Sequence, residues 1–338
     1  MRFFKLVERW FVAFSLGAML LGLLVPRSGY FMKDLAVVWL AGILFFTGLK
    51  LDFRTAFSHL RRPWLVLYAA VVLMIVFPFG VYGLARLVLP ERMAYGVVIV
   101  AAMPAGLATS SLTDISRGRA ELALIVTLVT SLLCPLATPW VIRTCTGISA
   151  GDGWAFMWKQ ARFLALILFT PMAAAFLVKR SVPRTVARFR EAYTGLAMVS
   201  LSLLILAAMS GSSEKFMEMI RSHKCAAAGL FAFMFGFSAL MHAAGYLMAP
   251  WRPAADRAAL SVCAAYVNNG LAIVFATKFF VPIEGVGAAA LLPAVLIEVP
   301  MILAIRALKS WMERGGELSP ESGRAVDEVD EVDAVDET

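Results

Sequence analysis

The chain has 338 residues, of which 61% are hydrophobic and 16% charged, with a mean hydropathy of +0.80 and a formal net charge of +8. That leaves too little polar surface to cover a water-soluble globule, so the solvent is lipid. The basic residues sit in short breaks between apolar runs, where they orient a membrane protein, and this argues against a nucleic-acid partner.

A bilayer core of about 30 Å takes about 20 apolar residues in helical form. The apolar runs predict ten spans, at roughly 10–26, 34–50, 63–88, 93–115, 120–143, 161–178, 192–210, 224–248, 257–279 and 286–308. The first run ends in Pro26-Arg27 rather than a small-residue cleavage site, so it reads as a retained helix and not a leader. Between the fifth and sixth spans, Trp154, Phe156, Met157, Trp158 and Lys159 predict a short helix lying in the membrane interface. The longest break, Lys179 to Arg190, carries five basic residues. From Gly315 the chain ends in VDEVDEVDAVDET, so residues 310–338 read as a disordered acidic tail after a transporter domain at 1–309.

An even number of spans puts both termini on one side. Of the 31 Lys and Arg residues, 20 fall on that side and 11 on the other, which predicts a multi-pass cell-membrane protein with both termini cytoplasmic. Cys134, Cys145, Cys225 and Cys263 show no pair spacing, and His59, His223 and His242 show no metal-ligand spacing. No cofactor is expected. A phosphate-cradling loop, a nucleophile elbow and an HExxH pattern are also absent, so an ATPase or membrane protease lacks its chemistry and no enzyme is expected.

Five spans on each side of the midpoint near 146–162 predict two repeats, about 10–145 and 150–308, of opposite membrane topology. The fourth span of each half carries an interruption. Span four breaks at Pro104-Ala105-Gly106 with Thr109-Ser110-Ser111, and span nine at Asn268-Asn269-Gly270. Backbone freed at membrane depth is tolerated only inside protein or beside a wet cavity. The two breaks should therefore meet and form the substrate site, with Pro104, Gly106, Thr109, Ser110, Asn268, Asn269 and Gly270 lining it.

At these segments the sequence resembles the bile acid:sodium symporter family, whose relatives include the arsenite permeases. PAGLATSSLTDISRGRAELALIVTLVTSLLCPLATP, YVNNGLA and LIEVPMIL carry the resemblance most sharply. It implies a panel of spans one, two, six and seven, a core of the other six, and crossing of spans four and nine at their breaks. It also implies sodium sites. The matching positions are Thr109 and Ser110, Ala123 and Thr127, and Asn268, with Cys263 standing where the family has a Glu and Val267 where it has a Gln. Losing a carboxylate and an amide leaves Thr109, Ser110, Thr127 and Asn268 as reduced sodium ligands.

Two carboxylates are candidates for coupling. Glu298 lies deep in an apolar span, where an ionisable group is costly unless paired, protonated or wetted. Asp114 follows Ser110 by four residues, or pairs with the Arg117 and Arg119 turn. Glu121, at the start of span five, suits a helix amino terminus. The expected function is secondary transport of a small organic anion, bile-acid-, carboxylate- or sulfonate-like, coupled to a sodium ion. Proton-coupled or uncoupled transport, arsenite efflux and a non-transporting membrane receptor are the alternatives. Nothing in the sequence signals the oligomeric state.

Overall fold

The computed structural model describes residues 11–29, 31, 35–50, 63–148, 153–222, 224–284, 286–297 and 300. Glu298, His59, His223, the acidic tail and most of the predicted tenth span lie outside these residues. Among the described residues all regular structure is helical. The helices are α1 (Phe11–Leu24), α2 (Ala36–Lys50), α3 (Pro63–Val88, with a π-turn at Val72–Val76), α4 (Glu91–Ala101) and α5 (Thr109–Ile115). They continue with α6 (Ala120–Thr146), α7 (Gly153–Ser181), α8 (Pro183–Arg188), α9 (Arg190–Ser222), α10 (Lys224–Leu247), α11 (Ala254–Ala265), α12 (Asn269–Phe279) and α13 (Leu292–Leu296).

Among the described residues five helices are long and apolar enough to cross a bilayer: α3, α6, α7, Arg190–Gly211 of α9 and Ala228–Leu247 of α10. Lipid supplies no hydrogen bonds, so each segment satisfies its own backbone as helix. The protein is an all-α membrane protein. Helix α9 packs along α1 and α2, and α7 packs along α2, while α10 lies on α11 and α6 touches α3, α5, α7 and α11. The largest buried cluster draws on α4, α6, α11 and α12, so the short broken helices sit in its centre.

Aromatic side chains mark both ends. Trp64 and Trp251 are exposed beside the start of α3 and the α10–α11 turn, with the Tyr68 and Trp251 rings 5.8 Å apart. At the far end of α6, Trp140, Trp154 and Trp158 are exposed, and the Arg143 guanidinium lies 5.3 Å from the Trp154 ring. Two such belts are what amphipathic rings form at the two headgroup layers.

Three expectations about boundaries change. The separate interfacial helix around Trp154 is instead the start of α7, a single 29-residue helix. No proline or glycine falls between Gly153 and Pro171, so nothing stops it. Span seven runs on past 210 to Ser222, because the polar stretch after Ser210 contains only an isolated glycine as a breaker. The break in span nine sits at 266–268, two residues earlier than its polar residues suggested. Asn268 caps the following helix, its side-chain oxygen accepting from the Leu271 amide at 3.1 Å, and Asn269 and Gly270 are already helical.

Candidate functional site

Helix α4 stops where Pro104 removes an amide donor and pushes Met103 out of helical geometry. The chain runs irregularly through 102–108 before α5 begins at Thr109. The α11–α12 break meets it head-on. The Gly106 amide donates to the Tyr266 carbonyl at 2.8 Å, the Asn268 amide donates to the Pro104 carbonyl at 2.8 Å, and Ala105 and Val267 form an antiparallel bridge. A Cβ on Gly106 would stand 3.1 Å from the Tyr266 carbonyl oxygen and 3.2 Å from that of Val267. The two backbones can approach this closely because residue 106 has no side chain.

Helix α6 satisfies what the crossing leaves over. The Thr130 hydroxyl accepts from the Ala105 amide at 3.3 Å, and the Thr138 hydroxyl donates to the Ala102 carbonyl at 2.5 Å. Neither residue was singled out from the sequence. The signal was available: Thr127, Thr130, Ser131, Cys134 and Thr138 form one polar stripe at helical spacing inside an apolar span.

The expected cation ligands separate. Thr109 and Thr127 are fully buried, their hydroxyl oxygens 2.6 Å apart, and Thr127 donates to the Ala123 carbonyl at 2.8 Å. Cys263 joins them, its thiol 3.7 Å from that same carbonyl and within hydrogen-bonding reach of both hydroxyls. Since Thr127 spends its proton on Ala123, Thr109 is the donor of the pair. Two oxygens sharing a cation at about 2.4 Å would stand about 3.4 Å apart in octahedral geometry. The observed spacing is that of a hydrogen bond. Ser110 is half-buried on α5, and the Asn268 oxygen is committed to its cap.

Gly270 belongs to another surface. The Cβ position of Gly270 lies 3.2 Å from Leu40 and 3.4 Å from Ile43 of α2, and 3.5 Å from Leu204 of α9. The first turn of α12 is therefore seated against α2 and α9, whereas Thr109, Thr127 and Cys263 are enclosed by α5, α6 and α11. The crossover lies between the two sets.

Asp114 is exposed at the end of α5, where its backbone carbonyl accepts from the Arg117 amide at 3.0 Å. Arg119 pairs elsewhere. Its partner is Asp256, a fully buried carboxylate in the first turn of α11, 3.2 Å from Arg119 and hydrogen-bonded to Arg252 at 2.5 and 2.8 Å. With the Arg119 amide donating to the Ala255 carbonyl at 3.0 Å, this ion cluster ties the α5–α6 turn to α11. Asp256 was missed because an Asp at a helix start looks like an ordinary exposed cap. Among the described residues, no group of three His, Cys, Asp or Glu side chains could hold a metal ion. His242 is a packing residue, its Nδ1 3.1 Å from the Ser261 hydroxyl.

A family model described as "Sodium Bile acid symporter family" matches residues 37–219, from α2 through most of α9. The chain belongs to the sodium bile acid symporter family. It is also 25% identical over 287 residues to "Uncharacterized sodium-dependent transporter YocS" of Bacillus subtilis (strain 168), covering 83% of this chain and 84% of that one. The symporter-family match spans the first broken helix and the hydroxyl stripe of α6. A transporter family accounts for two interrupted helices that meet inside the protein, which a purely structural bundle would not need.

Proposed function

We propose that this protein is a secondary transporter of a small organic anion in the cell membrane, working by alternating access around the crossover. One observation carries the reading: two broken helices exchange backbone hydrogen bonds at their interruptions, Gly106 to Tyr266 and Asn268 to Pro104. Such a crossing is stable only within protein. It leaves the amino terminus of α12 in a buried site, where its dipole favours a carboxylate or sulfonate.

The architecture supporting this reading is ten helices in two inverted repeats. The panel is α1, α2, α7 and α9, and the core is built on α3 to α6 and α10 to α12 with the tenth span. The packing of α9 and α7 on α2 favours that division. The charge bias puts both termini in the cytoplasm, so the Trp64 and Trp251 belt is cytoplasmic and the Trp154 belt external.

Coupling is to sodium through a reduced site, in which Thr109, Ser110, Thr127 and Asn268 contribute oxygens once a cation separates the Thr109 and Thr127 hydroxyls. The thiol at Cys263 favours a second reading, proton-coupled or uncoupled transport, because it offers a hard cation no charge. Thermal unfolding of the purified protein across a sodium titration, with potassium at matched ionic strength, separates these. A coupling ion that binds only the folded state raises its stability by mass action. Sodium stabilisation lost in Asn268→Ala and Thr127→Ala supports the reduced site, and no sodium effect on the parent overturns it. Accumulation of organic anion in proteoliposomes is the matching test of transport, because a receptor binds without accumulating.

A further inference from the structure

Helix α8 packs against the ends of α2, α7 and α9. Its Val186 turns inward and joins Leu49, Ala175 and Tyr193 in a small buried cluster, which holds α8 in place as a platform. The outer side of α8 and the turns flanking it are exposed at Arg180, Arg184, Arg188 and Arg190. Among the described residues none of these four guanidinium groups makes an ion pair with a carboxylate, whereas Arg86, Arg119 and Arg252 do. Val182 and Phe189, 46% and 47% exposed, lie among them, and the Arg188 guanidinium is 5.7 Å from the Phe189 ring. The face is therefore both cationic and apolar.

The carboxyl-terminal sequence has the complementary chemistry. Valine recurs there at every third position, Val326, Val329, Val332 and Val335, with seven carboxylates among them and no basic residue after Arg324. We propose that residues 326–338 dock on the α8 face, with carboxylates on Arg180, Arg184 and Arg188 and valines against Val182 and Phe189. The course of the chain favours this. Phe279, at the end of α12, meets Phe156 and Phe163 near the start of α7, with ring centroids 6.0 and 5.4 Å apart. Ala290 and Pro293 lie against Gly96, in the second turn of α4. Both contacts are at the end of the molecule opposite α8. From Leu292 to 308 the predicted tenth span covers about 25 Å as helix and leads back to the α8 end, a placement that rests on the ten-span architecture proposed above. A chain as long as 310–338 covers about 30 Å as a coil, so α8 is within reach. Exposed ion pairs taken singly add little. Here several act together with apolar contacts, and the tether raises the effective concentration of the segment to about 1 mM.

The test is binding of a fluorescein-labelled peptide of residues 318–338 to the full chain in nanodiscs of phosphatidylcholine, read by anisotropy. Three full-length proteins are compared: the parent, a tail-neutral variant with every carboxylate from Asp327 to Glu337 replaced by its amide, and that variant carrying Arg180→Gln, Arg184→Gln and Arg188→Gln as well. The tail-neutral chain should bind the peptide about tenfold more tightly than the parent, whose own tail occupies the site. Raising salt from about 50 to about 500 mM should weaken that binding about fivefold or more, because screening shortens the reach of each charge. The three Gln substitutions should weaken it by a similar factor. Every substituted side chain is exposed on the α8 face or lies in the tail, and thermal unfolding checks that each variant is folded; Arg184→Gln alone replaces the triple change if that one is not. No binding to the tail-neutral chain, equal affinity for it and the parent, or binding indifferent to the Gln substitutions overturns the proposal. Nanodiscs of phosphatidylglycerol test the rival occupant. Affinity kept within about threefold supports the tail, whereas loss of binding gives the face to lipid headgroups and overturns docking. None of these outcomes bears on transport, which accumulation in proteoliposomes tests separately.

Discussion

Two polar regions flank the crossover, and they are in opposite states. Around Thr109, Thr127 and Cys263 the hydroxyl protons are spent within the cluster, Thr109 on Thr127 and Thr127 on the Ala123 carbonyl. At Asn269, in the first turn of α12, a complete side-chain amide is buried with no hydrogen-bond partner among the described residues. Both regions are equally polar in sequence. The difference teaches that burial of a polar residue near a helix break does not by itself mark a ligand site. A cation in the first region has to displace hydrogen bonds already made, whereas a ligand in the second would meet groups the protein leaves unused.

The comparison can be broken hardest at the clamp and the crossing that hold the two regions apart. Replacing Asp256 by Ala leaves Arg119 and Arg252 without their shared carboxylate and should cost about 3 kcal/mol, seen as a lower unfolding midpoint and reduced yield of folded protein. Gly106→Val forces a side chain against the Tyr266 and Val267 carbonyls. It should cost about 1–3 kcal/mol and abolish accumulation of substrate in proteoliposomes.

Smaller changes sharpen it. Cys263→Glu puts a carboxylate between two hydroxyls and a carbonyl, turning the satisfied cluster into one that needs a cation. This variant should melt below the parent in choline but gain about 2.7 kcal/mol when sodium reaches about 100 times its dissociation constant. Thr127→Val leaves the Thr109 hydroxyl buried without its acceptor and should cost about 1–2 kcal/mol in any salt, with sodium stabilisation lost. Thr138→Val, which removes only the donor to the Ala102 carbonyl, should cost about 1 kcal/mol and leave accumulation within about twofold. If Thr138→Val instead abolished accumulation, the stripe on α6 would belong to the transport site rather than to its support.

Much of the fold was legible without coordinates. Interruptions in spans four and nine were visible because Pro104, Gly106 and the Asn pair are rare inside apolar helices, and lipid forces such breaks to find each other. Membership of all four polar positions in one site was not. Thr109 and Asn269 both lie within a residue or two of a break, yet they start two different helices, α5 packed on α6 and α11 and α12 packed on α2 and α9, and that packing is not written in the local sequence. The sequence offered Asp114 as a partner for the Arg117 and Arg119 turn, whereas the structure pairs Arg119 with Asp256, where the Arg119 amide also reaches the Ala255 carbonyl of α11.

The sequence by itself determined the solvent, the helical class and the positions of both breaks, because these depend on local composition and on what one helical segment can do with its own backbone. Tertiary structure alone decided which polar groups are spent and which are left open. Thr130 meets Ala105 across 25 residues, Cys263 meets Ala123 across 140, and Asn269 meets no hydrogen-bond partner. Pairing across such separations follows from how the helices pack.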